Sequence, residues 1–134
     1  MPTLHLQVAP LLNPEQYSPL AQALTAITAR VLGKRPEVTV VVIDDLPAAR
    51  WHIGGQALSA ASAPTAWLQI DITAGTNTAE QKAAFVAEAL AELQRQLGAG
   101  RPLAEASYVT VRELPATDWG YGGLTQAARR AQPG

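Results

Sequence analysis

The pattern Pro-x-x-x-Trp-x-x-Gly-Gly occurs twice, as Pro47, Trp51, Gly54-Gly55 and as Pro115, Trp119, Gly122-Gly123, at an offset of 68. A leucine precedes each proline, Leu46 and Leu114. Further upstream, Leu4, Leu6 and Val8 recur as Leu68, Ile70 and Ile72 at an offset of 64, and Leu20, Leu24 and Ile27 as Val86, Leu90 and Leu93 at an offset of 66. Repetition on this scale constrains the chain to two copies of one unit. A length of 134 residues suits one domain or two small halves sharing a core. The division predicted is a first unit over 1–57, a linker over 58–65 and a second unit over 66–134.

Within each unit the order is strand, helix, strand. Thr3 to Val8 alternates, with Leu4, Leu6 and Val8 on one face and Thr3, His5 and Gln7 on the other. A helix follows, opening at Asn13-Pro14-Glu15 or one turn later at Ser18-Pro19. Its apolar stripe is Leu20, Leu24, Ile27, Val31 and Leu32, and Gly33 is its C′ residue. Val38 to Ile43 is β-branched and predicts a strand buried on both faces. Arg50 to Gly55 suits a short hairpin.

In the second unit, Ala66 to Thr73 alternates as a strand, and Thr78 with Gln81 fits a capping box. Phe85, Val86, Leu90, Leu93 and Leu97 predict a long amphipathic helix. Tyr108 to Val111 predicts the closing strand, and the tail from Leu124 to Gly134 is expected to fray.

Strand-helix-strand units imply parallel pairs with right-handed crossovers. The fold class predicted is α+β: a four-stranded sheet with two helices on one face. The other face, carrying Thr3, His5, Gln7, Gln69 and Asp71, lacks cover and predicts oligomerisation.

A net charge of −1, from ten basic and eleven acidic residues well mixed, argues against nucleic acid and membrane as partners. The chain has no cysteine, which excludes disulfides and thiolate chemistry. Two histidines without clustered carboxylates predict no metal site, and no cofactor is expected. With no signal peptide or apolar span evident, the expectation is a cytoplasmic protein.

Pro2 gives the chain its chemistry. Methionine before a small residue is usually trimmed, and trimming would turn the Pro2 nitrogen from a tertiary amide into a secondary amine. An amide is not basic. A secondary amine is, and burial near cations frees it near neutral pH to act as a general base.

Together, Pro2, Glu15-Gln16, Val38 to Ile43 and Trp51-His52-Ile53-Gly54-Gly55 resemble the tautomerase superfamily, in its 4-oxalocrotonate tautomerase branch. The second half repeats the pattern in Glu80-Gln81-Lys82, Val109 to Val111 and Trp119 to Gly123. The resemblance spans residues 2–125 and implies a fused chain that assembles as a homotrimer. It implies an isomerase in which Pro2 moves a proton between carbon atoms of a small 2-keto or enol acid, with Trp51 as the aromatic wall.

Ala66 stands in the proline's place in the second half, and its nitrogen is an amide, so one proline site per chain is expected. The resemblance also implies arginines that clamp a carboxylate. The positions are Leu12 and Thr76 after the first strand of each half, and Thr39 or Val40 and Ser107 or Tyr108 early in the second; none is basic. Without a guanidinium there is no bidentate clamp, which points to a less charged or aromatic substrate.

Tyr108, as a hydrogen-bond donor to an enolate oxygen, Arg112 and His52 complete the candidate substrate-binding set with Trp51. Arg112 can equally be a solvated strand-end charge, and Arg50 and His5 have similarly plain readings. Two alternatives accompany this function. A protonated Pro2 could serve as an acid for hydration, dehalogenation or decarboxylation. The chain could also be a non-catalytic oligomeric binding protein.

Overall fold

The computed structural model describes residues 2–132. Strand β1 (Thr3–Ala9) leads through a 3-10 turn (Pro14–Gln16) into helix α1 (Tyr17–Leu32) and then strand β2 (Val40–Asp45). A small hairpin, β3 (His52–Ile53) with β4 (Gln56–Ala57), ends the first unit. The second unit runs β5 (Thr65–Thr73), α2 (Ala79–Leu97), β6 (Tyr108–Leu114), hairpin β7 (Gly120–Tyr121) with β8 (Leu124–Thr125), and α3 (Gln126–Ala131).

The sheet order is β2-β1-β5-β6, parallel within each unit and antiparallel where β1 meets β5. Leu4, Leu6 and Val8 of β1 and Ala66, Leu68, Ile70 and Ile72 of β5 face the helices and are almost fully buried. Against them pack Leu20, Leu24, Ile27 and Leu32 of α1 and Phe85, Ala89, Leu93 and Leu97 of α2. Each large apolar side chain so buried contributes about 1.5–3 kcal/mol.

Both expected helix starts have a place. Pro14 opens the 3-10 turn, while Pro19 sits in the first turn of α1, where no hydrogen bond is lost. Gly33 closes α1 at φ 70°, its N–H reaching Ala29 O at 3.0 Å. Thr78 and Gln81 form the predicted capping box on α2.

Several expectations are corrected. The strand predicted at Val38 to Ile43 begins at Val40, because Pro36 opens a 3-10 turn through Val38. It is an edge strand, with Val40 and Val42 exposed, so it is not buried on both faces. The helices match at an offset of 65, not 66: Leu20, Leu24 and Leu32 correspond to Phe85, Ala89 and Leu97. Val86 points to solvent. Residues 124–132 do not fray over most of their length: β8 and α3 are formed and Gln126 is buried. Pro133 and Gly134 lie outside the described residues.

A carboxylate at the end of β2, and one residue before the end of β6, holds the loop that precedes the helix of its unit. Asp45 accepts from the Leu12 N–H at 2.7 Å and the Tyr17 hydroxyl at 2.9 Å. Glu113 accepts from the Gly75 N–H at 3.3 Å and Lys82 Nζ at 2.8 Å. The Leu12 N–H is the main reason that the Asp45 carboxyl titrates below its ordinary range, and the Lys82 hydrogen bond does the same for Glu113. The same hydrogen bond from Tyr17 to Asp45 pushes the tyrosine's own proton affinity up.

Candidate active site

The helices cover one sheet face and leave the other open, so any chemistry must gather on that face or at the strand ends. The register locates the repeat there. Thr3 pairs with Val40 and Trp67 with Tyr108. Trp67 therefore occupies the place of Thr3, and Tyr108 that of Val40.

At one end of the sheet β1 begins. Pro2 is buried, and its carbonyl accepts from the Val40 N–H at 3.2 Å. The end of β5 lies beside it, since Thr3 pairs with Asp71. Arg112 grips Asp71 through Nε at 2.8 Å and Nη2 at 3.1 Å, a bidentate pair that occupies its guanidinium. The Trp119 indole N–H donates to Thr73 Oγ1 at 3.2 Å. Beyond Thr73, the Thr76 hydroxyl donates to the Thr73 carbonyl at 2.6 Å and accepts from Lys34 Nζ at 2.9 Å. The open face at this end has a shallow hollow of about 320 Å³ lined by Thr3, Val40, Val42 and Asp71.

At the other end, the β3–β4 hairpin closes a groove of about 690 Å³ against the starts of β5 and β6. Trp51, His52, Trp67, Tyr108, Arg50 and Gln7 line it. Gly54 and Gly55 turn the hairpin at φ 62° and 77°, a conformation that side chains resist. Trp67 and Tyr108 are 43% and 64% exposed, so aromatic surface is offered to a ligand or another chain. Trp67 is steadied by its indole N–H, which donates to Thr110 Oγ1 at 3.1 Å. The Ala66 amide points its N–H at Ser107 Oγ, 3.3 Å away. This groove is the counterpart of the Pro2 end, with an amide where Pro2 stands.

The sequence grouped Trp51, His52, Tyr108 and Arg112 with Pro2. In the chain, Trp51, His52 and Tyr108 converge on the Ala66 end, and Arg112 alone lies at the Pro2 end. From Thr3 to Gln7 the strand rises about 13 Å, so only another copy of the chain can bring the groove to Pro2. His5 sits mid-sheet, 2.5 Å from Asp44. Trp67 and Lys34 also lie at these two ends, and the sequence reading named neither. Trp67 was visible as the one large aromatic out of phase with Ala66 and Leu68. For Lys34 no local signal exists, because its partner is forty-two residues away.

Among the described residues, no group of three or more His, Asp or Glu side chains could hold a metal ion, and no helix is long and apolar enough to cross a membrane.

The family model described as "Tautomerase enzyme" matches residues 2–61. Solved structures match almost the whole chain. The F6 fused 4-OT, an asymmetric trimer, is 28% identical with a TM-score of 0.80, over 95% of this chain and 98% of that one. A native fused 4-OT is 29% identical with a TM-score of 0.79, over 94% and 97%. A macrophage migration inhibitory factor-like protein from Entamoeba histolytica shares the fold, with a TM-score of 0.72 at 16% identity over 92% and 97%. No curated protein matches the chain.

Proposed function

We propose, from the premise that this chain is a fused, 4-OT-like member of the tautomerase superfamily, that it is an isomerase with Pro2 as its general base. Once Met1 is removed, the lone pair of the Pro2 amine takes a proton from the carbon beside the carbonyl of a small 2-keto acid. The C–H electrons form the carbon–carbon double bond, and the carbonyl oxygen carries the charge as an enolate. The proline then returns the proton to carbon or oxygen. Reversal carries an enol to its keto form.

The observation that carries this reading is the setting of Pro2. It is buried at a sheet end, fixed through its carbonyl by Val40, with an indole and a half-buried ammonium on the neighbouring loops. Burial favours the neutral amine. With no arginine clamp, the substrate class is an aromatic monocarboxylate such as phenylpyruvate rather than a dicarboxylate. Arg112 reaches the substrate only if it leaves Asp71.

The open face and the exposed edge residues Val40, Val42 and Tyr108 support assembly of several copies. Fused 4-OT relatives form trimers, and a homotrimer is the assembly proposed here. The Trp51 groove is its baseless second site, able to bind but not to transfer a proton, unless another copy presents it to Pro2.

The test is phenylpyruvate turnover on protein whose intact mass lacks methionine, repeated with Pro2→Ala. Turnover that survives in the variant rejects the base. A rate that falls as pH rises would instead mark a protonated proline acting as an acid.

A further inference from the structure

We propose that the Trp51 groove is a binding site in its own right for planar aromatic anions. Arg50 is the fork for a carboxylate or phosphate, and Trp51, Trp67 and Tyr108 are the ring surfaces. The proposal rests on the reading of this groove as a baseless second site and stands whether or not Pro2 is a base.

The two ends of the sheet differ at matched positions of the repeat. Where the first unit has Thr3 and Val40, the second has Trp67 and Tyr108. At the offset of 68, Arg50 answers to Asp118, so the two hairpins also differ in charge. The end without a basic nitrogen therefore carries the larger aromatic surface and a guanidinium. The lack of a base explains neither.

The polar groups of the groove are unspent. Among the described residues Arg50 forms no ion pair, whereas Arg30, Arg35, Arg95 and Arg112 each hold an Asp or Glu. Gln7, His52 and Tyr108 also line the groove, and among the described residues their side chains make no hydrogen bond. No Asp or Glu is among the lining residues. A guanidinium stays charged and presents a planar fork that matches two oxygens of a carboxylate or phosphate. With no acid beside it, an anion in the groove meets attraction without repulsion.

The frame is set before anything binds. The Trp51 N–H donates to the Ala48 carbonyl at 3.1 Å, and the Leu58 N–H donates to the Trp51 carbonyl at 2.9 Å. These bonds fix the backbone between Arg50 and His52. The Trp67 ring is tied to Thr110 through its indole N–H. Rings already held lose little freedom when a ligand stacks on them. A volume of about 690 Å³ has room for a fused bicyclic ring. The Ala66 nitrogen is an amide that donates to Ser107 Oγ, so the bound anion leaves as it came.

The test follows the tryptophan indole N–H signals by NMR on the full, assembled protein. The ligands are 2-naphthoate, 2-naphthyl phosphate and the uncharged 2-naphthamide. In wild type the Trp51 and Trp67 signals should respond to an anion about tenfold or more tightly than to the amide, the range of a charge-assisted hydrogen bond. The tighter of the two anions identifies the charged group. Trp119, at the Pro2 end, should not follow the same curve. Arg50→Gln should answer anion and amide alike. Trp67→Ala should weaken all three ligands by about tenfold, read at Trp51. Three results overturn the proposal: Trp51 and Trp67 signals that stay still, signals that answer the amide as well as the anions, and a preference that survives in Arg50→Gln. Should Arg50→Gln fail to assemble, the wild-type and Trp67→Ala titrations still decide. Failure of the proline reading shows elsewhere, as turnover surviving in Pro2→Ala.

Discussion

His5 stands directly opposite Gln69 in the antiparallel pairing of β1 and β5, and Gln69 is the residue that holds His5's own place in the second repeat. The pseudo-twofold axis of the molecule therefore passes between these two side chains. On either side of it the chemistry diverges. Gln7 and Asp44 on one side answer to Asp71 and Arg112 on the other, and only the last two form a bidentate ion pair. Equivalent backbone positions thus present different charges at the two ends.

Removing the base should remove the reaction and nothing else. Pro2→Ala is expected to lower phenylpyruvate kcat/KM by about 10²–10⁴-fold, the usual contribution of a positioned general base. Sedimentation and far-UV circular dichroism should match wild type. Turnover within a factor of a few of wild type would reject the role.

The two repeat tryptophans should separate. Trp119 is bonded to Thr73 at the Pro2 end, whereas Trp51 lines the Ala66 groove. Trp119→Ala should raise KM for an aromatic keto acid by about tenfold, a loss of about 1.4 kcal/mol, typical for an aromatic contact. Trp51→Ala should leave KM nearly unchanged. The reverse pattern would show that another copy brings its groove to Pro2.

Acid should weaken the first loop by a predictable route. The Leu12 N–H, aided by the Tyr17 hydroxyl, depresses the Asp45 carboxyl, against a smaller opposing effect of burial. Because the folded-state value lies below the unfolded one, this stabilisation is full above the ordinary carboxylate range. It disappears as pH falls through the lowered value. Asp45→Asn should therefore lower the urea midpoint at neutral pH, and its gap to wild type should narrow on acidification. A gap that stays constant from about pH 7 to about pH 3 would refute the linkage.

Phe85 is the largest fully buried side chain, packed where both helices meet the sheet. Phe85→Ala should cost about 3–5 kcal/mol in urea unfolding. Val86→Ala, one residue on and exposed, should cost under about 0.5 kcal/mol. Equal losses would mean that the face of α2 is misplaced.

The faces of β1 and β5 and the caps were legible in sequence because each is local: alternation, a capping pair, a glycine after a stripe. The β2 edge was not, since its exposure depends on strand order. The helix offset was misread because Ala89, small and unremarkable, faces the core while Val86, apolar and in near-phase, does not. The tail was misread for a different reason. Its order comes partly from Arg129, which stacks 3.7 Å over the Tyr121 ring and donates to the Tyr121 carbonyl. Composition does not reveal such a contact. The candidate site was half legible. Pro2 stands out by position, but the hydrogen-bonded residues at its end of the sheet, Lys34, Thr76 and Trp119, come from three separate loops. Their meeting depends on how the two units dock.

The connection over residues 58–64 joins two units that a shorter chain would have to pair with a copy of itself. In such a pair every substitution lands at both ends of the sheet at once, so neither end can change alone. Here Tyr108 can be aromatic while Val40 stays aliphatic, and Ala66 can hold an amide while Pro2 awaits a free amine. One peptide linkage thus releases each end from having to mirror the other.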